Sequence, residues 1–253
     1  MSLAETLRAV HDRVVFHEEE HAYAIDGIAM DPVTSACKVM DKPFLVDAAA
    51  RLAREGKDHK QVWGVARENG NSVHRSQQNF VLRTQGALTM PEKHTAESAY
   101  LSAGLVSWLD KAHKSGELEF PFRPECRTFH PEHGYAGTMD LPCLWLGRPT
   151  ILDLKTCPDG SSAYQEWPPQ IAAYAAAAEF HTGEQWFGGA LRVPKDGSAP
   201  SILPYGHDPE AFETFLALLK VYRWLNRDKK RNSKHAVQKA VNAYLERKAS
   251  IGT

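Results

Sequence analysis

The chain lacks a long apolar run, clustered cysteines, low-complexity linkers and a large net charge. Its longest apolar stretch with helical character, IAAYAAAAEF at 171–180, is too short for a bilayer span, which takes about 20 apolar residues. The four cysteines stand at 37, 126, 143 and 157, so no pair has zinc-finger or ribbon spacing. Scattered cysteines fit a reducing compartment, where they act as small apolar residues. The opening MSLAETLRAVHDRVV is charged and lacks the continuous apolar segment of a secretion signal. These absences predict a soluble, cytoplasmic protein with no membrane association. The formal charge is -1, from 30 Lys+Arg against 31 Asp+Glu, and as a total it neither favours nor excludes a nucleic-acid partner.

What is present is ordinary globular material. In 253 residues, 43% are apolar and 24% charged, which excludes wholesale disorder, a collagen repeat and a coiled coil. A chain of this length can close a core without disulfide or metal staples. FHEEEHAYAIDGIAMDPVTSACKVM alternates around Asp26-Gly27 and predicts a small hairpin. AAARLAREGKDHKQVWGVARENG reads as helix broken by glycines. A new helix is expected to start at Asn71 or Ser72, with Val73, Phe80 and Val81 on one face. Another is expected over 95–114.

The middle changes character. ELEFPFRPECRTFH, YAGTMDLPCLWLG and RPTILDLKTC read as three consecutive strands. A helix over 161–181, two strands around the turn at Lys195-Asp196-Gly197, and a long helix from Pro209 to about Lys229 follow. A last helix is expected over 233–248. The order predicts one α/β domain with a helical N-terminal elaboration. Its parts are a hairpin and helices over 1–95, a core over 96–219 and basic helices over 220–253.

The chemistry gathers in GTMD, 137–140, and ILDLKT, 151–156. On a strand, Asp153 and Lys155 share a face, and Leu152 and Leu154 point into a core. A tight turn between paired strands sets Asp140 beside Asp153. Two adjoining carboxylates repel each other, and a divalent cation with oxygen ligands compensates them. Lys155 adds a fixed positive charge. That set suits metal-assisted phosphodiester hydrolysis.

Asp140 followed by Asp153-Leu154-Lys155 resembles the D…(D/E)-x-K core of the PD-(D/E)XK nuclease superfamily, in particular its RecB-type and phage exonuclease branch. The segment GNSVH resembles that branch's helix motif, whose histidine would be His74. Gln170 and Tyr174 resemble its Q-x-x-x-Y motif, and HAYAIDGIAMDPVTS its N-terminal hairpin. The likeness covers roughly residues 16 to 195.

The resemblance implies a restriction-endonuclease-like core, a mixed central sheet flanked by helices. It implies a metal-dependent deoxyribonuclease, an exonuclease of phage or recombination type, in the cytoplasm of a bacterium or phage-infected host. One or two Mg2+ or Mn2+ ions would be held by His74, Asp140, Asp153 and the Leu154 carbonyl, with Asp140, Asp153 and Lys155 catalytic. DNA is the implied substrate, a single-strand annealing or recombination protein an implied partner, and a homo-oligomer an implied assembly. No cysteine follows Cys157, so no iron-sulfur cluster is expected. Met139 stands where the family has proline, and Gln77 and Gln78 where relatives have an acid.

Bland readings stand beside these. Asp153 and Lys155 can be an edge-strand ion pair, and His74 a polar residue on a helix flank. Gln170 and Tyr174, one helical turn apart, can be a capping glutamine and a core tyrosine rather than substrate-binding residues. Glu125 can sit near the metal and substrate, or pair with Arg127 on the same face.

The charge is uneven: from Lys220 onward ten bases face two acids, +8, leaving -9 for the rest. The dense run includes Arg227, Lys229, Lys230 and Arg231, read as a phosphate-binding stripe or as a solvated helix end. Rivals to the exonuclease are a structure- or sequence-selective endonuclease of the same fold and a non-catalytic DNA-binding recombination module.

Overall fold

The computed structural model describes residues 1–227. Lys229, Lys230 and Arg231 and the helix expected over 233–248 lie outside the described residues. Helix α1 (Leu3–Arg13) leads into strands β1 (Val14–His17), β2 (Ala22–Ile25) and β3 (Ile28–Pro32). Helices α2 (Val33–Cys37), α3 (Pro43–Arg54), α4 (His59–Thr84) and α5 (Ala96–Lys114) follow. Strands β4 (Leu118–Glu119), β5 (Cys126–His130), β6 (Tyr135–Met139), β7 (Leu141–Trp145) and β8 (Arg148–Cys157) come next. Helix α6 (Trp167–Thr182), strands β9 (Phe187–Pro194) and β10 (Ser201–Gly206), and helix α7 (Pro209–Leu225) complete the mixed α/β fold.

The strands form two five-stranded mixed sheets, in the orders β1-β2-β3-β6-β5 and β10-β9-β8-β7-β4. The expected Asp26-Gly27 hairpin joins β2 to β3. Both turn residues have positive φ, 50° and 82°, as a two-residue turn matching the strand twist requires. This hairpin is more than an appendage, because β3 pairs in parallel with β6.

Two of the three strands expected in the middle are each split. Pro121 and Pro124 remove ladder donors and divide the first into β4, in one sheet, and β5, in the other. The second breaks at Asp140, so that β6 and β7 serve different sheets.

The third is one strand, β8, buried on both faces. Leu152 and Leu154 pack with Val73, Leu105 and Leu109 of α4 and α5, as the alternation predicts. Ile151 joins the opposite cluster with Tyr135, Tyr174, Trp186 and Phe215. Each such leucine contributes about 1.5–3 kcal/mol by leaving water. The alanines of α6 let it lie close on the sheets, and Ala173, Ala177 and Ala178 are fully buried.

Helix α4 corrects an expectation. It starts at His59 under an Asp58 cap and runs unbroken through Gly64 and Gly70. Of the glycines at 56, 64 and 70, Gly56 alone, with φ of 68°, ends a helix. Ser72, expected as a cap, and Asn79 further along spend their side chains on the following loop. Ser72 donates to the Lys93 carbonyl at 2.9 Å, and Asn79 donates to the Met90 carbonyl at 2.8 Å and Glu92 Oε1 at 2.6 Å. Helix α5 begins as expected, with a capping box from Thr95 and Ser98, and Val73, Phe80 and Val81 are buried together.

His130 on β5 is buried against the rings of His133 and Phe180. Its Nδ1 has no hydrogen-bond partner among the described residues. Burial, helped by the charges of His133 and His181, lowers its pKa from 6.5 to about 4. The unfolded chain therefore binds a proton between about pH 6.5 and 4 that the folded chain refuses, and stability falls with acidification across that window. In urea unfolding, His130→Phe is expected to flatten the pH dependence there by up to one proton. An unchanged slope contradicts this.

Candidate active site

The break between β6 and β7 builds the centre of the site. The β7–β8 register pairs Leu141 with Leu152, which sets Asp140 beside Asp153 one step further on. Asp140 extends the ladder with its side chain: Oδ2 accepts the Leu154 N–H at 2.8 Å. Burial raises the Asp140 pKa to about 7. His74 opposes that rise, and the charges of Asp153 and Glu125 add to it.

His74 comes from the middle of α4. Its Nδ1 lies 3.6 Å from Asp140 Oδ2 and 3.8 Å from Glu125 Oε1. Burial works against its charge, but Asp140 and Glu125 outweigh it and hold the imidazole up at about 9. Glu125 stands just before β5, with a φ of 51°. A left-handed backbone costs a non-glycine residue about 1–3 kcal/mol. Here it is fixed by the Glu125 N–H donating to the Asp140 carbonyl at 3.0 Å. The Glu125–Arg127 pair weighed from the sequence does not form; Arg127 donates to the Val14 carbonyl instead.

His74, Glu125 and Asp140 each offer one ligand atom, and the three lie within 4.8 Å of one another. Two ligand atoms at right angles around a cation of ~2.1–2.2 Å bond length are about 3 Å apart. Inward shifts of a few tenths of an ångström to about an ångström bring this set to that spacing, and one nitrogen with two carboxylates suits Mn2+ as well as Mg2+. The residues fit a divalent cation, which would displace the His74 proton.

Asp153, 1% exposed, is not part of that trio. Its Oδ2 sits 2.5 Å from Lys155 Nζ, and its Oδ1 accepts from Gln170 Nε2 at 3.1 Å. The expected ligand set of His74, Asp140, Asp153 and Leu154 thus differs from the observed cluster, where Glu125 takes the place given to Asp153. Two residues apart on β8, Asp153 and Lys155 share a face, so the ammonium reaches the adjacent carboxylate. Burial opposes the Lys155 charge, but Asp153 and Asp140 raise its pKa. Leu154 offers its N–H to Asp140, while its side chain stays in the core.

From α6, Gln170 braces the pair. It accepts from Lys155 Nζ at 3.3 Å, and its Nε2 also lies 3.3 Å from the Tyr174 hydroxyl. At 8% and 2% exposed, Gln170 and Tyr174 support the acid and lysine from beneath. The substrate contact expected of them is not open in this arrangement.

Seven sequence-named residues therefore converge: His74, Glu125, Asp140, Asp153, Lys155, Gln170 and Tyr174. Arg227 does not join them; it follows α7 with its guanidinium 4.4 Å from the Trp224 ring centroid. Two further features support the site. Lys42 pairs with Glu166 at 2.5 Å, tying the start of α3 to the start of α6. Gly137 leaves room for Tyr174: a Cβ there would stand 2.5 Å from Tyr174 Cε1.

No protein-family model and no curated protein matches the chain. Among solved structures, one named "Putative exonuclease", from Eubacterium rectale, is similar at a TM-score of 0.43 and 12% identity, over 66% of this chain and 68% of that one. No helix of the described residues is long and apolar enough to cross a membrane.

Proposed function

We propose that the protein is a metal-dependent deoxyribonuclease with a PD-(D/E)XK core, hydrolysing phosphodiester bonds from DNA ends. The observation that carries the reading is the joining of two half-sites. His74, Glu125 and Asp140 form a ligand cluster, Asp153, Lys155 and Gln170 form a charged brace, and the Asp140–Leu154 hydrogen bond connects them. A bound Mg2+ or Mn2+ ion supplies a water of lowered pKa and a Lewis acid for the phosphoryl oxygen.

The chain's own groups do the rest. His74, Glu125 and Asp140 hold the ion, with Asp153 next to them for a second. Lys155 offsets the negative charge that grows on the phosphoryl oxygens and orients the attacking water. Gln170 fixes Lys155 and Asp153 in register, and Arg227 with the basic run beyond it holds the DNA backbone. The cytoplasmic setting, the annealing or recombination partner and the homo-oligomer belong to the same proposal.

End-labelled linear and covalently closed circular DNA, incubated with Mg2+, Mn2+ or chelator, test it. Degradation of linear DNA alone, abolished by chelator, is expected. Cleavage of the closed circle would replace the exonuclease by an endonuclease. Binding without any cleavage would leave a non-catalytic module.

Gln170 gives a finer check. Gln170→Ala removes a brace without removing a ligand, and a fall in kcat of about 10–100-fold is expected. A kcat equal to wild type in steady-state assays contradicts the bracing role.

A further inference from the structure

Beside the candidate site lies an open cleft of about 250 Å³, lined by His11, Phe16, Arg123, Glu125, Arg127 and Thr138. Glu125 belongs both to this cleft and to the His74–Asp140 cluster, so the cleft adjoins the site. Its two arginines form no ion pair with a carboxylate among the described residues; the ion pair of Glu125 is with His74. Arg127 is half-buried. Two guanidinium groups thus line one cleft, and the carboxylate that shares it, Glu125, is paired with His74.

His11 sharpens the point. It is 4% exposed, and burial with the charges of Arg127 and Arg123 lowers its pKa to about 4, so the ring is neutral. Its Nδ1 accepts the Arg127 backbone N–H at 2.9 Å. A neutral imidazole carries one N–H, which must then be on Nε2. That Nε2–H lies 3.2 Å from Arg127 Nη2, which can only donate. Donor meets donor, an arrangement that an acceptor-only group relieves. Guanidinium forks match phosphate oxygens, which accept and never donate when ionised.

We propose that this cleft binds a phosphate group of the nucleic-acid strand, next to the phosphate held at the His74–Glu125–Asp140 cluster, through Arg123, Arg127 and the His11 Nε2–H. The identity of the strand rests on the nuclease reading; the affinity for a phosphate does not. The phosphate can be an internal diester or a terminal monoester.

The test is fluorescence anisotropy of a labelled oligonucleotide across a salt series, in an Asp153→Asn background so that the strand stays intact. Arg123→Gln, at an exposed position, is expected to weaken binding about tenfold and to reduce the salt slope by about one. Arg127→Lys keeps the charge and loses the fork; affinity falls while the slope holds. Neither variant changes Mn2+ affinity, and inorganic phosphate competes with the oligonucleotide in the arginine-containing protein more than in Arg123→Gln. If a 5′-phosphate adds affinity only when both arginines are present, the cleft takes a terminal monoester. Equal losses with hydroxyl-ended strands assign an internal diester. Wild-type affinity and slope in both variants overturn the proposal. Phosphate competition in a wild-type protein that cleaves nothing upholds the cleft and overturns the nuclease reading.

Discussion

Asp140→Asn lowers kcat for DNA cleavage by about 10³-fold, the size of effect expected when a preorganised charge-stabilising group is lost, and raises the melting temperature of the metal-free protein. Both follow from one geometry. The asparagine carbonyl still accepts the Leu154 N–H that Asp140 Oδ2 accepts at 2.8 Å, so the β7–β8 ladder stays closed. What disappears is a buried charge beside Asp153 and Glu125, whose cost without a cation is expressed in a pKa raised to about 7. Relieving that cost stabilises the fold, and removing the ligand disables the site, the trade-off expected of a functional acid. Calorimetric titration should show weakened Mn2+ binding. A variant that cleaves at the wild-type rate, or that binds Mn2+ unchanged, contradicts the role given to Asp140.

Gly137→Ala is the second large effect, and it reaches the site through packing. The added Cβ would meet Tyr174 Cε1 at 2.5 Å and Val33 Cγ2 at 3.3 Å. The Tyr174 ring is fully packed and has no empty space to enter. Overpacking of this kind costs about 1–3 kcal/mol. The shift passes to Gln170, whose Nε2 lies 3.3 Å from the Tyr174 hydroxyl, and so to Asp153 and Lys155. A loss of both stability and kcat is expected. Tyr174→Leu should lessen the added cost of Gly137→Ala, a coupling that a double-mutant cycle by urea unfolding measures. Additive effects contradict the steric account.

How far the sequence could be read depended on the range of the forces involved. The shared face of Asp153 and Lys155 follows from the two-residue period of a strand, and burial of Leu152 and Leu154 on the other face from the same alternation. The Asp26-Gly27 hairpin and the Thr95 cap are local chemistry and are equally legible. The break at Asp140 is not. The chain stays extended from Tyr135 to Trp145, with the bend confined to Asp140, and what changes there is the partner strand, which residues far away decide. The start of α4 was hidden for a similar reason. Ser72 resembles a cap, yet its hydroxyl bonds to a loop that follows the helix. Glu125 could be named as a site residue, but its place in the ligand cluster depends on a left-handed backbone and a bond to the Asp140 carbonyl, which no short motif encodes.

The most direct test of the central claim is a cleavage time course on end-labelled linear DNA with Mn2+, comparing the wild-type protein with Asp153→Asn. The replacement keeps the side chain's size and an acceptor for Gln170, and removes the charge that lies 2.5 Å from Lys155. Wild-type cleavage that chelator abolishes, with no product from a folded Asp153→Asn protein, is the predicted result. Equal cleavage by the two proteins would contradict the assignment of this site.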